Sequence, residues 1–61
     1  MLIEDIVKLK EFTKNKLWLE GRLNDDLCSY GIIDKVGPSD WYRIVFKNTR
    51  RRFREEFIYK I

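Results

Sequence analysis

Histidine, alanine and glutamine are missing from this chain, and cysteine, methionine and proline occur once each. Each absence removes a kind of chemistry. A zinc site needs about four His, Cys or carboxylate ligands at defined spacing, and none can be assembled here. Without histidine there is no Ser-His or Cys-His catalytic pair. Neither an enzyme nor a cofactor is therefore expected. Cys28 has no second thiol to pair with, which points to a reducing compartment. A small buried apolar side chain is the expected role for it. The run MLIEDIVKLKEF carries Glu4 and Asp5 where a signal peptide is basic, and no long apolar run follows. A soluble, cytoplasmic protein with no membrane partner is expected. Abundant Lys, Ile and Arg beside absent Ala suits an AT-rich genome, such as that of a virus or mobile element.

What is present is one small domain's worth of chain, residues 1–61. A domain of this size buries only about 60% of its unfolded surface, so its core must be well packed. Lys and Arg exceed Asp and Glu by 13 − 10 = 3. That permits an acidic partner without demanding one, because placement matters more than total.

Helical spacing runs through residues 2–14. Leu2, Ile6 and Leu9 form a stripe that Ile3, Val7 and Phe12 widen, with charges on the other side. A helix over residues 1–15 is predicted, packing on or beside the rest of the chain. If it does not pack there, its apolar stripe is a homodimer or partner surface; otherwise the protein is a monomer. From Lys16 the period changes to two. KLWLEGRL reads as a strand in which Gly21 allows a bend, and Asn24-Asp25-Asp26 reads as a turn. CSYGIIDKV is a second strand, Gly37-Pro38-Ser39-Asp40 the strongest turn, and WYRIVF the clearest strand. RRRF continues after Asn48-Thr49, FREEF suits one helical turn, and FIYKI closes the chain. The expected fold class is α+β: an N-terminal helix plus a strongly bent five-stranded antiparallel sheet or small barrel, because the connections are too short for crossovers.

GIIDKVGPSDWYRIVF, from Gly31 to Phe46, resembles the central hairpin of SH3-like small β-barrels, the group that includes KOW and Tudor-type modules. FREEFIYKI resembles their last helical turn and closing strand. The resemblance spans roughly residues 17–61. It implies an SH3-like barrel and a broad binding role. No aromatic cage of the Tudor kind is recognisable.

NTRRRFREEF holds the densest charge. A two-residue loop at Asn48-Thr49 pairs Lys47 with Arg50, Val45 with Arg52, Ile44 with Phe53 and Arg43 with Arg54; a longer loop is the alternative. Parity then places Trp41, Arg43, Lys47, Arg50, Arg52 and Arg54 on one outer face, with Arg51 at the rim. Opposed like charges there are unfavourable, and a polyanion would neutralise them. Arginine planes and Trp41 would stack on unpaired bases. The leading expectation is a non-enzymatic module that binds DNA or RNA through these six residues. The alternative is a small protein-binding inhibitor or adaptor of a virus or mobile element, acting on a host nucleic-acid machine, whose arginines meet an acidic protein surface. An exposed sheet face also needs polar side chains for solubility alone, and Glu20, Glu55 and Glu56 are candidate partners for the arginines. Asp25-Asp26, Asp34 and Asp40 are assigned to loops and turns, and Trp18 and Tyr30 to the core or its rim.

Overall fold

The computed structural model describes all 61 residues. Five strands form one antiparallel sheet: β1 (Ile6–Leu9), β2 (Gly31–Val36), β3 (Trp41–Val45), β4 (Arg50–Arg54) and β5 (Ile58–Lys60). Their spatial order is β4-β3-β2-β1-β5. β4 and β5 are its two edges, and the sheet does not close into a barrel. One helix, α1 (Glu11–Leu19), and short 3-10 turns at Asp26–Cys28, Pro38–Asp40 and Glu55–Phe57 complete the chain. The α+β class with one helix and five antiparallel strands is as expected.

The helix is not where the periodicity put it. Residues 6–9 form a strand, and α1 begins after it. Ile6 and Val7 are β-branched and carry little helix preference. This segment also bonds on both sides, to β2 through Ile6–Ile32 and Val7–Gly31 and to β5 through Lys8–Tyr59 and Leu9–Ile58. Two flanking ladders outweigh a pattern that suits a helix equally well. The stripe splits accordingly: Val7 and Leu9 enter the core, while Leu2, Ile3 and Ile6 stay exposed.

Residues 17–19, expected in a strand, are the last turn of α1. Gly21 explains why. Its φ is 70°, a conformation that side-chain-bearing residues rarely adopt. The Gly21 N–H donates to the Trp18 carbonyl at 3.0 Å and the Arg22 N–H to the Leu17 carbonyl at 2.8 Å. This paired closure satisfies the last carbonyls of the helix. At the other end, Thr13 is 3% exposed and its hydroxyl donates to the Phe57 carbonyl at 2.8 Å. Lys10 N–H donates to the same oxygen at 3.0 Å. α1 is thus tied to the turn that precedes β5, and buries only Thr13 and Leu17, one helical turn apart.

One apolar cluster lies on the inner face: Val7, Leu9, Leu17, Leu27, Ile33, Tyr42, Ile44, Phe46 and Ile58. Trp18 and Tyr30 do not join it and are 69% and 58% exposed. Cys28 is also exposed, at the end of a 3-10 turn whose Leu27 takes the buried place instead. The turn residues Asn24 and Asp26 do act as loop chemistry. Asn24 Oδ1 accepts the Leu27 N–H at 3.0 Å, and the Asp26 carboxylate accepts the Asn48 N–H at 3.0 and 3.2 Å. No helix is long and apolar enough to cross a membrane.

Candidate nucleic-acid interface

The candidate face is carried by β3 and β4. Their register is Trp41–Arg54, Tyr42–Phe53, Arg43–Arg52, Ile44–Arg51 and Val45–Arg50. The loop is therefore four residues, Phe46 to Thr49, closed by Phe46 N–H donating to the Thr49 carbonyl at 2.7 Å. Asp26 holds this wider loop by accepting the Asn48 N–H. The expected two-residue register does not form, so Arg43 does not oppose Arg54, nor Lys47 Arg50. Tyr42, not Ile44, stands opposite Phe53. The register has slipped by an even number of residues, so every side chain keeps its expected face. Trp41, Arg43 and Val45 share the outer face with Arg50, Arg52 and Arg54, and Lys47 lies exposed in the loop beside them.

Only one of these arginines is paired. Arg43 donates from Nε to Asp34 Oδ1 at 2.7 Å and from Nη2 to Oδ2 at 3.0 Å. Asp34 is not a turn residue. It lies inside β2, at the irregularity between Ile33 and Lys35. The two-bond fork holds the Asp34 carboxyl below its ordinary 3.8 despite partial desolvation, and the Arg43 and Arg50 charges push it the same way. The directly opposed like-charged pair on this face is Arg43–Arg52, and the Asp34 carboxylate on Arg43 offsets their repulsion.

Arg50, Arg51, Arg52 and Arg54 have no carboxylate within ion-pair distance. The acids offered as partners are engaged elsewhere or stand off. Glu20 pairs with Arg22 at 3.8 Å, and Glu55 accepts the Tyr42 hydroxyl at 3.2 Å and faces the N-terminal amine at 3.9 Å. Burial and the Glu55 bond together raise the Tyr42 hydroxyl above its ordinary 10.0. Arg54 shares a hollow of about 210 Å³ with Asp40, Glu55 and Glu56, so its charge is tempered at a distance. A hollow of about 430 Å³ is lined by Arg43, Arg50, Arg51 and Arg52 alone. Three guanidinium groups without an ion-pair partner meet one that is paired there.

Arg51 has inner-face parity but lies on an edge strand, and its side chain reaches round the edge. It lines the arginine hollow and also a second cleft of about 270 Å³ against α1, where Lys16, Glu20, Arg22 and Arg52 surround Thr13, Leu17, Phe53 and Phe57. Sequence reasoning set Arg51 at the rim and left Lys16 and Arg22 out of the site. The signal for Arg22 was the Gly21 helix stop, which turns the chain there; Lys16 is placed by α1 itself, its ammonium over the Phe57 ring at 5.6 Å.

Trp41 is a platform. Its indole lies so close to Gly37 that a methyl group on that glycine would overlap the ring. The Arg52 guanidinium sits over the ring, 5.4 Å from its centroid. A cation over an indole face is attracted by the ring quadrupole. Trp41 thus positions Arg52, and a base meeting this ring must share it with Gly37 and Arg52.

No protein family, curated protein or solved structure matches the chain. The reading of this face therefore rests on its own geometry.

Proposed function

We propose that the protein is a non-enzymatic module that binds nucleic acid through the β3–β4 face. The observation that carries this reading is the arginine hollow: Arg50, Arg51 and Arg52 converge there without a carboxylate partner. Clustered guanidinium groups of one sign suit phosphodiester oxygens, and release of condensed counterions supplies affinity without sequence readout. Arg54 and Lys47 extend the face at either end, and Trp41 fixes Arg52. Kinship with SH3-like small barrels belongs to the same proposal. It is supported by the β2–β3 hairpin and by the 3-10 turn Glu55–Phe57 leading into β5.

The test is titration of tryptophan fluorescence with single- and double-stranded oligonucleotides at low and moderate salt, repeated with Arg50→Glu/Arg52→Glu. Saturable binding that weakens with salt and disappears in the folded double variant is expected. A folded wild-type protein that binds neither DNA nor RNA at low salt overturns the reading.

A second reading, a protein-binding inhibitor or adaptor, has its own observation. Ile61, Ile6, Ile32 and Val45 form an aliphatic row across the outer face, from β5 to β3. Ile61, Ile6 and Ile32 are exposed. Neighbouring exposed apolar side chains of this kind mark interaction surfaces. A tight stoichiometric complex with one protein, beside weak salt-sensitive nucleic-acid binding, would favour it.

A further inference from the structure

The aliphatic row ends at Val45, whose partner across the ladder is Arg50. Beside that junction is a hollow of about 330 Å³ lined by Ser29, Tyr30, Ile32, Val45, Phe46 and Lys47. Its floor is apolar, its rim carries an ammonium, and it opens on the same face as the arginines. A space of this size is at the lower end of small-ligand sites. Tyr30 is 58% exposed. Asp26, on the turn before Ser29, is engaged with the Asn48 N–H.

We propose that this hollow between Tyr30 and Lys47 holds one unstacked nucleobase of a single strand whose flanking phosphates lie on Lys47 and Arg50. The inference rests on the nucleic-acid reading above and adds a strand class to it. Three features favour this occupant. The floor meets the charged face without a break, at Val45–Arg50. An exposed aromatic ring lining an apolar hollow accepts the face of any base, so binding is tolerant of sequence. Trp41, the aromatic among the arginines, is already occupied by Gly37 and Arg52, and Tyr59 lies at the far β5 edge of the sheet. A duplex keeps its bases stacked and has none to offer, so single strands are preferred.

The experiment compares an oligothymidylate with an abasic oligonucleotide of equal length by anisotropy of the labelled strand, for wild type, Tyr30→Ala and Tyr30→Phe. Tyr30 is exposed, so its replacement leaves the core intact, and thermal melting checks this. The expected result is that Tyr30→Ala weakens binding of the base-bearing strand roughly 5- to 150-fold, the range that loss of one base–aromatic stack gives. Abasic binding stays unchanged, and Tyr30→Phe stays near wild type. Equal loss on both strands, or no loss on either, overturns the base site while leaving the arginine face as a phosphate binder. Absence of all binding at low salt, abasic strand included, overturns both. A hollow that proves to be occupied by a protein partner would show itself as the no-loss outcome.

Discussion

Asp34 holds Arg43 by two parallel bonds, at 2.7 and 3.0 Å, across neighbouring strands in the middle of the basic face. The side chains are each about one-third exposed. The carboxylate aligns one guanidinium and cancels its charge, so the free positive charge shifts toward β4. Asp34 thereby sets how many arginines are left for a polyanion.

Removing that carboxylate should strengthen binding. Asp34→Asn frees Arg43 beside Arg50 and Arg52. The plot of log affinity for an oligonucleotide against log salt should steepen by roughly one unit, the effect of one more neutralised phosphate. An unchanged slope in a folded variant would mean that Arg43 takes no part in the contact.

The same pair sets an acid limit. The folded-state pKa of Asp34 is lowered, chiefly by the hydrogen bond from Arg43. Its contribution to stability is complete above its ordinary 3.8 and is lost as pH falls through the lower folded value. The urea midpoint of wild type should therefore fall more steeply below that pH than that of Asp34→Asn. Parallel acid limbs would show that the pair contributes nothing.

Tyr42 sets a limit at the other end. Burial first, and then the Glu55 carboxylate, raise its pKa above 10.0. The unfolded chain then releases this proton first, so stability declines as pH rises past that value. Tyr42→Phe should flatten the alkaline fall of the melting temperature, and a fall identical to wild type would sink the assignment.

Gly37→Ala tests Trp41 as a platform. A methyl group would meet the indole, so the ring must move away from beneath Arg52. Overpacking of this kind typically costs about 1–3 kcal/mol. In a Trp18→Phe background, the emission maximum of Trp41 should shift and oligonucleotide affinity should drop. Unchanged emission would show that the ring does not need this seat.

Thr13→Val removes the hydroxyl that ties α1 to the Phe57 carbonyl while keeping the side-chain shape. A loss of about 1 kcal/mol in urea unfolding is expected, with Thr13→Ser less affected than valine. Equal stability of the Val variant and wild type would release α1 from this anchor.

The outer face was legible in the sequence because it depends only on parity. Alternation of side chains survives any even slip in register, so Trp41, Arg43, Arg50, Arg52 and Arg54 share a face whether the loop holds two residues or four. The β2–β3 hairpin was legible for a similar local reason. Gly37-Pro38-Ser39-Asp40 concentrates turn residues, and Ser39 and Asp40 do adopt positive φ, at 59° and 58°. The last 3-10 turn and closing strand followed from FREEFIYKI in the same way.

Only the tertiary structure decided the first third of the chain and the partners of each charge. LIEDIVKL fits a helix or a strand, and the choice fell to hydrogen bonds that β2 and β5 offer from more than 20 residues away. Whether Asp34 is a turn residue or the counter-ion of Arg43, and whether Tyr30 is buried or free, depends on contacts between strands. Local patterns fix which side a residue faces. What it meets there is fixed by chain segments that periodicity cannot see.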